Sequence, residues 1–271
     1  MNLPVVMTIA GSDNSAGAGA QADLKAMSAL GVYAVTAITC VVAEVPGKVS
    51  AIQPIDPAIV AEQIRLLFEA YPIAAMKTGM LYSREIMERV VGELRSQRAL
   101  PPLIVDPVMV ATSGASLLKG DAVAYYKEAL FPLATLVTPN VDEAQVLVGR
   151  PISTVGELHA AGLELVDQYG CAFLMKGGHL RGEVALDFLI TADGATSDFR
   201  APFIPGVSTH GTGCTYSAAI AAGIGFGLDL EAAVGEAKML VSTAIARYLR
   251  WQRADGTNTD ALHHFAGILG D

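Results

Sequence analysis

The chain has 271 residues, of which 52% are apolar and 17% are charged. This composition supports a packed core and argues against disorder, and the length suits a single domain over residues 1–271. The net charge of −9 argues against binding to nucleic acid or to an anionic membrane surface, so neither is a predicted partner.

The predicted elements alternate between short apolar strands and longer helices. Strands are predicted at 5–10, 33–42, 73–77, 103–106, 135–138 and 172–176, and helices at 18–30, 57–70, 84–97, 121–130, from 141 onward and at 155–169. A hairpin is predicted at 184–191 and 196–203, turning at Asp193-Gly194, followed by helices at 213–226, 230–250 and 258–266. Strands that are apolar on both faces and alternate with helices predict an α/β fold with a mainly parallel sheet.

In sheets of this kind, ligands bind outside the carboxyl ends of the strands. The loops that reach this edge are the ones in which a site is expected. They cover residues 11–19, 42–47, 77–80, 106–114, 138–143, 176–179 and 205–214.

The cysteines and the N-terminal segment predict a cytoplasmic protein. Cys40, Cys171 and Cys214 form no CxxC pair, which is typical of reduced thiols. The start of the chain lacks the basic residues and the cleavage site of a signal peptide. The longest apolar run, 29–43, is too short to span a bilayer.

The first glycine-rich loop, "GSDNSAGAGAQAD", allows three interpretations. Gly17-x-Gly19-x-x-Ala22 weakly matches a dinucleotide fingerprint and would indicate an oxidoreductase. However, six residues separate Gly17 from the strand, and Glu44 lies farther on than that motif expects. A flexible turn with a helix cap is the second interpretation. The favoured one is a loop whose backbone closes over a small ligand.

The sequence contains no P-loop, HExxH or GxSxG motif. His263 and His264 beside Asp260 could mimic a metal site, but a solvated C-terminal helix is the preferred interpretation. His159 is interpreted as a surface residue of a helix.

Four polar residues are predicted at the carboxyl ends of three strands. Asn140 and Glu143 are spaced for one face of a helix start, where they would either form a capping box or hold a hydrated Mg²⁺. Lys176 is either an exposed lysine before a turn or a contact for phosphate oxygens. Asp106 is either a cap or a second carboxylate that orients the metal.

The stretch "STHGTGCTYSAA" (208–219) combines a glycine-rich turn with the start of a helix. Gly211 and Gly213 would let the backbone amides face one point, and the positive end of the helix would add to them, which predicts an anion hole. Cys214 would lie near the helix N-terminus, where the pKa of a thiol is commonly lowered. A structural turn with a buried thiol is the alternative.

Six stretches in chain order together resemble the ribokinase-like superfamily and, within it, the hydroxymethylpyrimidine/phosphomethylpyrimidine kinases of thiamine biosynthesis. They are "TIAGSDNSAGAGAQADLKA" (8–26), "KTGML" (77–81), "VDPVMVATSG" (105–114), "VTPNVDEAQVL" (137–147), "LMKGGH" (174–179) and "STHGTGCTYSAAIAA" (208–222). The resemblance implies a three-layer α/β/α sandwich, usually a homodimer. It also implies transfer of the γ-phosphoryl group of ATP, with Mg²⁺, to 4-amino-5-hydroxymethyl-2-methylpyrimidine and then to its monophosphate.

The resemblance also assigns roles to individual residues. The catalytic group consists of Gly211, Thr212, Gly213, Cys214 and Lys176, with the thiol as a base or as a part of the anion hole. Mg²⁺ is assigned to Asn140, Glu143 and Asp106, and the nucleotide to Lys176, Asn140, Thr191 and Gly211. The pyrimidine pocket is assigned to Gly11, Asp23, Val42, Glu44, Met80, Val108 and His210.

One residue departs from the family pattern in a way that bears on the substrate. Glu44 stands where the family usually has glutamine, and an ionised glutamate can only accept hydrogen bonds, whereas glutamine also donates them. A pyridoxine or pyridoxal kinase of the same subgroup is therefore an alternative. A further alternative is a ligand sensor that has kept the fold but lost catalytic turnover. The presence of Lys176, Asn140 and Glu143 argues against it. In the first loop this chain has "NSAG" where the family commonly has "PSGG", which is a smaller departure than the one at Glu44.

Overall fold

A central sheet of nine strands organises the molecule, in the order β3-β2-β1-β4-β5-β6-β7-β8-β9. The computed structural model describes residues 2–109, 120–178, 180, 183–207 and 210–266. The strands are β1 (Val5–Asp13), β2 (Tyr33–Val45), β3 (Lys48–Pro54), β4 (Ile73–Thr78), β5 (Leu103–Val105), β6 (Leu136–Val137), β7 (Ala172–Lys176), β8 (Val184–Ile190) and β9 (Thr196–Pro202). Pairing is parallel from β2 through β7 and antiparallel for β3, β8 and β9 at the edges.

Helices cover both faces of this sheet. They are α1 (Gly19–Ala29), α2 (Pro57–Ala70), α3 (Arg84–Arg95), α4 (Gly120–Tyr125), α5 (Val141–Val148), α6 (Val155–Tyr169), α7 (Thr212–Gly225) and α8 (Leu230–Ala246). A π-helical turn (Tyr126–Leu130) and a 3-10 turn (Phe131–Leu133) extend α4. The apolar residues of α1, α7 and α8 form one buried cluster with the sheet, and those of α2 to α6 form the other. The three-layer α/β/α sandwich with a mainly parallel sheet is confirmed.

Local sequence signals explain where several helices begin. Asp56 caps α2 by accepting from the Ala58 amide, and Pro57 suits the first turn because it needs no hydrogen-bond partner for an N–H. Thr154 and Glu157 form a capping box at α6. In contrast, Gly211 precedes α7 with no side-chain cap. The first amides of α7 therefore have no partner within their own helix.

The C-terminal segment differs from its prediction. The helix expected at 258–266 is wrong, since β11 (Asn258–Ala261) pairs antiparallel with β10 (Leu249–Gln252). The turn contains Gly256 with a φ of +82°, and Arg250 and Asp260 form an ion pair across the hairpin at 2.7 Å. Strand β3 was also missed, because its alternating polar residues belong to an exposed edge.

Candidate active site

A cavity of about 830 Å³ lies at the carboxyl edge of the parallel strands. Most of the predicted site residues line it: Gly11, Val42, Glu44, Met80, Asp106, Val108, Asn140, Glu143, Lys176, His210, Gly211, Thr212, Gly213 and Cys214. The loops that follow six different strands thus meet in one place, as the parallel topology requires. Residues 110–114, 179 and 208–209 of the predicted loops lie outside the described residues.

The N-terminus of α7 has the geometry that the predicted anion hole requires. Gly211 has a φ of +82°, and a Cβ built on it would lie 1.7 Å from the Gly17 carbonyl oxygen, so this contact between two loops requires glycine. The Thr215 amide donates to the Gly211 carbonyl at 2.9 Å, as the first bond of the helix. The amides of residues 212–214 therefore have no helical acceptor and can bind an anion.

Lys176 and Asp106 lie directly beside this turn. The Lys176 ammonium donates to Asp106 Oδ1 at 3.0 Å, and the Thr138 hydroxyl donates to the same oxygen at 3.1 Å. A Cβ built on Gly213 would lie 3.2 Å from Lys176 Nζ and 3.6 Å from Asp106 Oδ2. Burial works to raise the pKa of Asp106, but the charges of Lys176 and Lys77 outweigh it and hold the pKa below its ordinary value. The arrangement places a fixed cation next to the free amides.

Asn140 and Glu143 form the predicted capping box and also line the cavity. The Glu143 amide donates to Asn140 Oδ1, and the Asn140 amide donates to Glu143 Oε2, both at 2.9 Å. Burial, together with the nearby charge of Asp106, raises the pKa of Glu143 to about 8. Two carboxylates, Glu143 and Asp106, thus share one lysine, Lys176. Because a second ionised carboxylate beside Asp106 is disfavoured without a further counter-charge, the raised pKa and the side-chain oxygens of Glu143 and Asn140 fit a divalent cation such as Mg²⁺, which would favour the ionised form.

Cys214 is partly buried in the first turn of α7, and the prediction of a lowered pKa is wrong. Burial raises the pKa of the thiol to about 12, although the nearby Lys77 ammonium opposes that shift. A thiol with this pKa is neutral at pH 7, which argues against a role as a base.

Replacing Cys214 by alanine is therefore expected to leave kcat within about tenfold of the unmodified enzyme, because the amide of residue 214 is retained. Steady-state ADP release checks this. A general base contributes about 10²–10⁴-fold, so a loss of that size in Cys214→Ala would show that the thiol takes the proton.

Glu44 and His210 lie at the other end of the cavity, among the apolar side chains of Val42, Met80 and Val108. His210 Nε2 lies 3.1 Å from Asp13 Oδ2, while His210 Nδ1 is buried without a partner in the described part of the chain. Burial raises the pKa of Glu44, and the charge of Asp13 adds to the shift. This end can accept a flat, mostly apolar ring with a few polar positions.

Two predicted residues do not line the cavity. Asp23 was assigned to the pyrimidine pocket, but it is fully buried and forms an ion pair with Lys77 at 2.7 Å. Thr191 was assigned to the nucleotide. It follows β8, which runs antiparallel to β7, and therefore lies at the opposite edge of the sheet from Lys176. Its hydroxyl bonds instead to Asp193 and to the Ala195 carbonyl.

Lys77 is one of the cavity residues to which the sequence analysis assigned no role. It belongs to β4, and its side chain has no exposed surface although it forms part of the cavity floor. A lysine within the apolar run "IAAMK" was a usable signal, since a buried charge is retained only with a partner.

The C-terminal histidines do not form a metal site, and the predicted solvated helix is also wrong. His264 is 3% exposed, and its Nε2 lies 3.0 Å from the Thr215 hydroxyl. That hydroxyl in turn donates to the Gly211 carbonyl.

Within the described residues, no group of three or more His, Cys, Asp or Glu side chains is arranged to hold a metal ion. In the same part of the chain, no helix is long and apolar enough to cross a membrane.

Comparison with known proteins identifies relatives of this chain. The family model for phosphomethylpyrimidine kinase matches residues 13–258. The hydroxymethylpyrimidine/phosphomethylpyrimidine kinase of Rhizobium meliloti is 42% identical, over 96% of this chain and 97% of the relative. Among solved structures, the pyridoxal kinase of Bacillus subtilis in its ADP complex has a TM-score of 0.89, with 31% identity over 99% of this chain and 100% of that chain. The phosphomethylpyrimidine kinase of Clostridium difficile has a TM-score of 0.78, with 37% identity over 89% of this chain and 99% of that chain.

Proposed function

Because this chain belongs to the phosphomethylpyrimidine kinase family, we propose that its cavity binds ATP and a hydroxymethylpyrimidine together and transfers the γ-phosphoryl group between them. As a hydroxymethylpyrimidine/phosphomethylpyrimidine kinase of thiamine biosynthesis, the enzyme acts twice, first on the hydroxymethyl group and then on the resulting monophosphate. The observation that carries the proposed mechanism is the meeting of the free α7 amides with Lys176.

In the first transfer, the hydroxymethyl oxygen attacks the γ-phosphorus of ATP. The new O–P bond forms as the bond to the bridging oxygen breaks, ADP leaves with that electron pair, and the hydroxyl proton is released. Charge spreads over the three equatorial oxygens of the transferred group, so positioning and electrostatic stabilisation supply most of the catalysis. The amides of residues 212–214 and the Lys176 ammonium act on those oxygens.

We assign Mg²⁺ to Glu143 and Asn140, with Asp106 orienting the ion. When bound, the ion neutralises phosphate charge. The side-chain oxygens of Glu143 and Asn140 already hold the start of α5 rigid through the capping box, which fixes their position. Asp106 keeps Lys176 in place, and a backbone bridge between Asn140 and Lys176 places the metal ligands next to the phosphate contact.

Glu143→Gln tests the metal assignment, because glutamine keeps the capping box but removes the charge. We expect the Mg²⁺ concentration for half-maximal rate to rise about 10–100-fold, the range found when a group around a metal site is changed. The measurement is a Mg²⁺ titration of ADP release at fixed ATP. Glu157→Gln is the control, since Glu157 holds the same position in the capping box of α6, on the surface. Equal Mg²⁺ dependence in the two variants would contradict the assignment.

A pyridoxal kinase is the second candidate function. Glu44 at the ring end of the cavity favours it, together with the TM-score of 0.89 to the pyridoxal kinase of Bacillus subtilis. Pyridoxal also presents a –CH₂OH group, so the transfer chemistry would be unchanged. The identity of 42% to a pyrimidine kinase over nearly the whole chain supports the pyrimidine as the main substrate. A homodimer stays a prediction from the resemblance, and a cytoplasmic location stays a prediction from the cysteines and the N-terminal segment.

A further inference from the structure

Lys77 is a buried cation of the cavity that the mechanism leaves unused. Its ammonium donates to Asp23 Oδ1 at 2.8 Å and to Asp23 Oδ2 at 2.7 Å, and the Thr8 hydroxyl donates to the second oxygen at 2.6 Å. Asp23 thus fixes two of the three ammonium protons. No hydrogen bond of the described residues uses the third.

Lys77 lies on the acceptor side of the anion hole. Its strand continues into Gly79 and Met80, and Met80 lines the ring end of the cavity with Gly11. A Cβ built on Gly79 would lie 2.9 Å from the Lys77 Nζ, so only glycine at this position leaves room for the ammonium beside the strand end. The ammonium is also close enough to Cys214 to oppose the rise of the thiol pKa.

The other lysines on the described cavity wall have different positions. Lys176 lies beside the α7 amides, where the transferred group is bound in both reactions. Lys238 pairs with Asp187 at 2.6 Å, and that carboxylate accepts from the Gly177 amide, which follows Lys176. Lys48 belongs to the exposed hairpin of β2 and β3. Of the buried lysines of the described cavity wall, Lys77 therefore lies on the strand closest to β1 and β2, whose ends carry the residues assigned to the pyrimidine.

The two transfers differ in the charge of their acceptors. The first acceptor is a neutral hydroxyl, whereas the second is a phosphate monoester that carries a charge of about −1.5 to −2 near pH 7. Bringing this group against the γ-phosphate of ATP costs electrostatic energy, and in a site shielded from water the repulsion is stronger than in bulk solvent. A fixed cation on the acceptor side lowers that cost in the second transfer only.

We propose that Lys77, held by Asp23, binds the acceptor phosphate in the second phosphorylation and so adapts the enzyme to the monophosphate. This rests on the proposed function above. In that step a phosphate oxygen attacks the γ-phosphorus, the bond to the bridging oxygen of ATP breaks, and ADP leaves. The dianionic acceptor has no proton to lose, so the step needs a cation and no base, which agrees with a neutral Cys214.

The test compares kcat/KM for 4-amino-5-hydroxymethyl-2-methylpyrimidine with kcat/KM for its monophosphate, each supplied separately. In Lys77→Met, kcat/KM for the monophosphate is expected to fall about 10²-fold more than kcat/KM for the alcohol. This is the rate loss that typically follows removal of one group that stabilises charge in the transition state. Lys238→Met is the matched control, a second buried, aspartate-paired lysine of the cavity, and is expected to change both values by the same factor. Equal losses for both substrates in Lys77→Met would overturn the proposal.

Removing Lys77 alone leaves Asp23 buried without its partner, which can unfold the protein. The double variant Lys77→Met with Asp23→Asn removes both charges and keeps an acceptor for Thr8, and it is expected to show the same selective loss. On the unmodified protein, ¹⁵N-lysine NMR supplies a second measurement. The buried ammonium signal should shift with the monophosphate but not with the alcohol, and identical spectra would contradict the proposal. An enzyme that phosphorylates neither pyrimidine would instead refute the proposed function.

Discussion

Gly211→Ala is expected to lower kcat/KM by about 10²–10³-fold, because it displaces the anion hole. The new Cβ would overlap the Gly17 carbonyl oxygen, 1.7 Å away, and the φ of +82° is unfavourable for alanine. The two glycine loops must then separate, and the amides of residues 212–214 lose their common direction. The measurement is steady-state ADP release with the pyrimidine, combined with a thermal unfolding curve.

The control for this substitution is Gly256→Ala. Gly256 has the same φ of +82°, but a Cβ built there meets nothing within 4 Å, and the residue lies in the turn of the C-terminal hairpin. We expect this variant to lose about 1–2 kcal/mol of unfolding free energy from backbone strain and to keep its kcat. Full activity in Gly211→Ala would mean that the α7 amides do not contact the transferred group.

Lys176→Met is the second substitution with a large expected effect, a fall in kcat of about 10²–10³-fold. The ammonium lies beside the free amides of α7 and holds Asp106, so its loss removes a cation from the transferred group. It also leaves Asp106 without its ion-pair partner, which destabilises the fold by about 3–5 kcal/mol. Single-turnover rates at saturating ATP separate the chemical step from nucleotide binding.

Two further variants make the result for Lys176 unambiguous. Lys176→Met with Asp106→Asn removes both charges and restores stability, yet kcat should stay low. Lys127→Met removes a lysine that donates to the Leu147 carbonyl at 2.8 Å, outside the cavity wall, and should leave kcat unchanged. Recovery of kcat in the double variant would contradict a role for Lys176 in the transfer and would leave only a role in stability.

The order and type of the main elements could be predicted from the sequence, because the buried strands are short apolar runs separated by helical patterns. Helix α2 was predicted with its observed bounds, since Asp56 and Pro57 mark its first turn. The C-terminal hairpin could not be predicted in this way. The pairing of Arg250 with Asp260 and the turn at Gly256 stabilise it, whereas the residue pattern alone resembles a short helix.

The site could be predicted wherever a loop motif determined its own geometry. The glycine turn before α7 and the Asn140–Glu143 capping box are of this kind, because each is specified within a few residues. The pair of Asp23 and Lys77 joins residues 54 positions apart, and it forms because α1 packs on the sheet where β1 places Thr8 beside Lys77 of β4. The pKa of Cys214 was mispredicted for a related reason, since burial by several elements outweighs the helix terminus.

Thr191 shows how a residue can be misassigned by strand direction. The other predicted contacts follow parallel strands and therefore reach the same edge, whereas β8 reverses direction after β7. The hairpin itself was predicted, so the position of Thr191 at the far edge could have been deduced from its place at the end of the returning strand.

The most direct measurement is product analysis by mass spectrometry after incubation of the purified protein with ATP and Mg²⁺. One reaction contains 4-amino-5-hydroxymethyl-2-methylpyrimidine, a second contains pyridoxal, and both are repeated with Glu44→Gln. We expect the monophosphate and then the diphosphate of the pyrimidine, formed faster than any pyridoxal phosphate. Phosphorylation of pyridoxal alone, with no pyrimidine diphosphate, would contradict the assignment as a hydroxymethylpyrimidine/phosphomethylpyrimidine kinase.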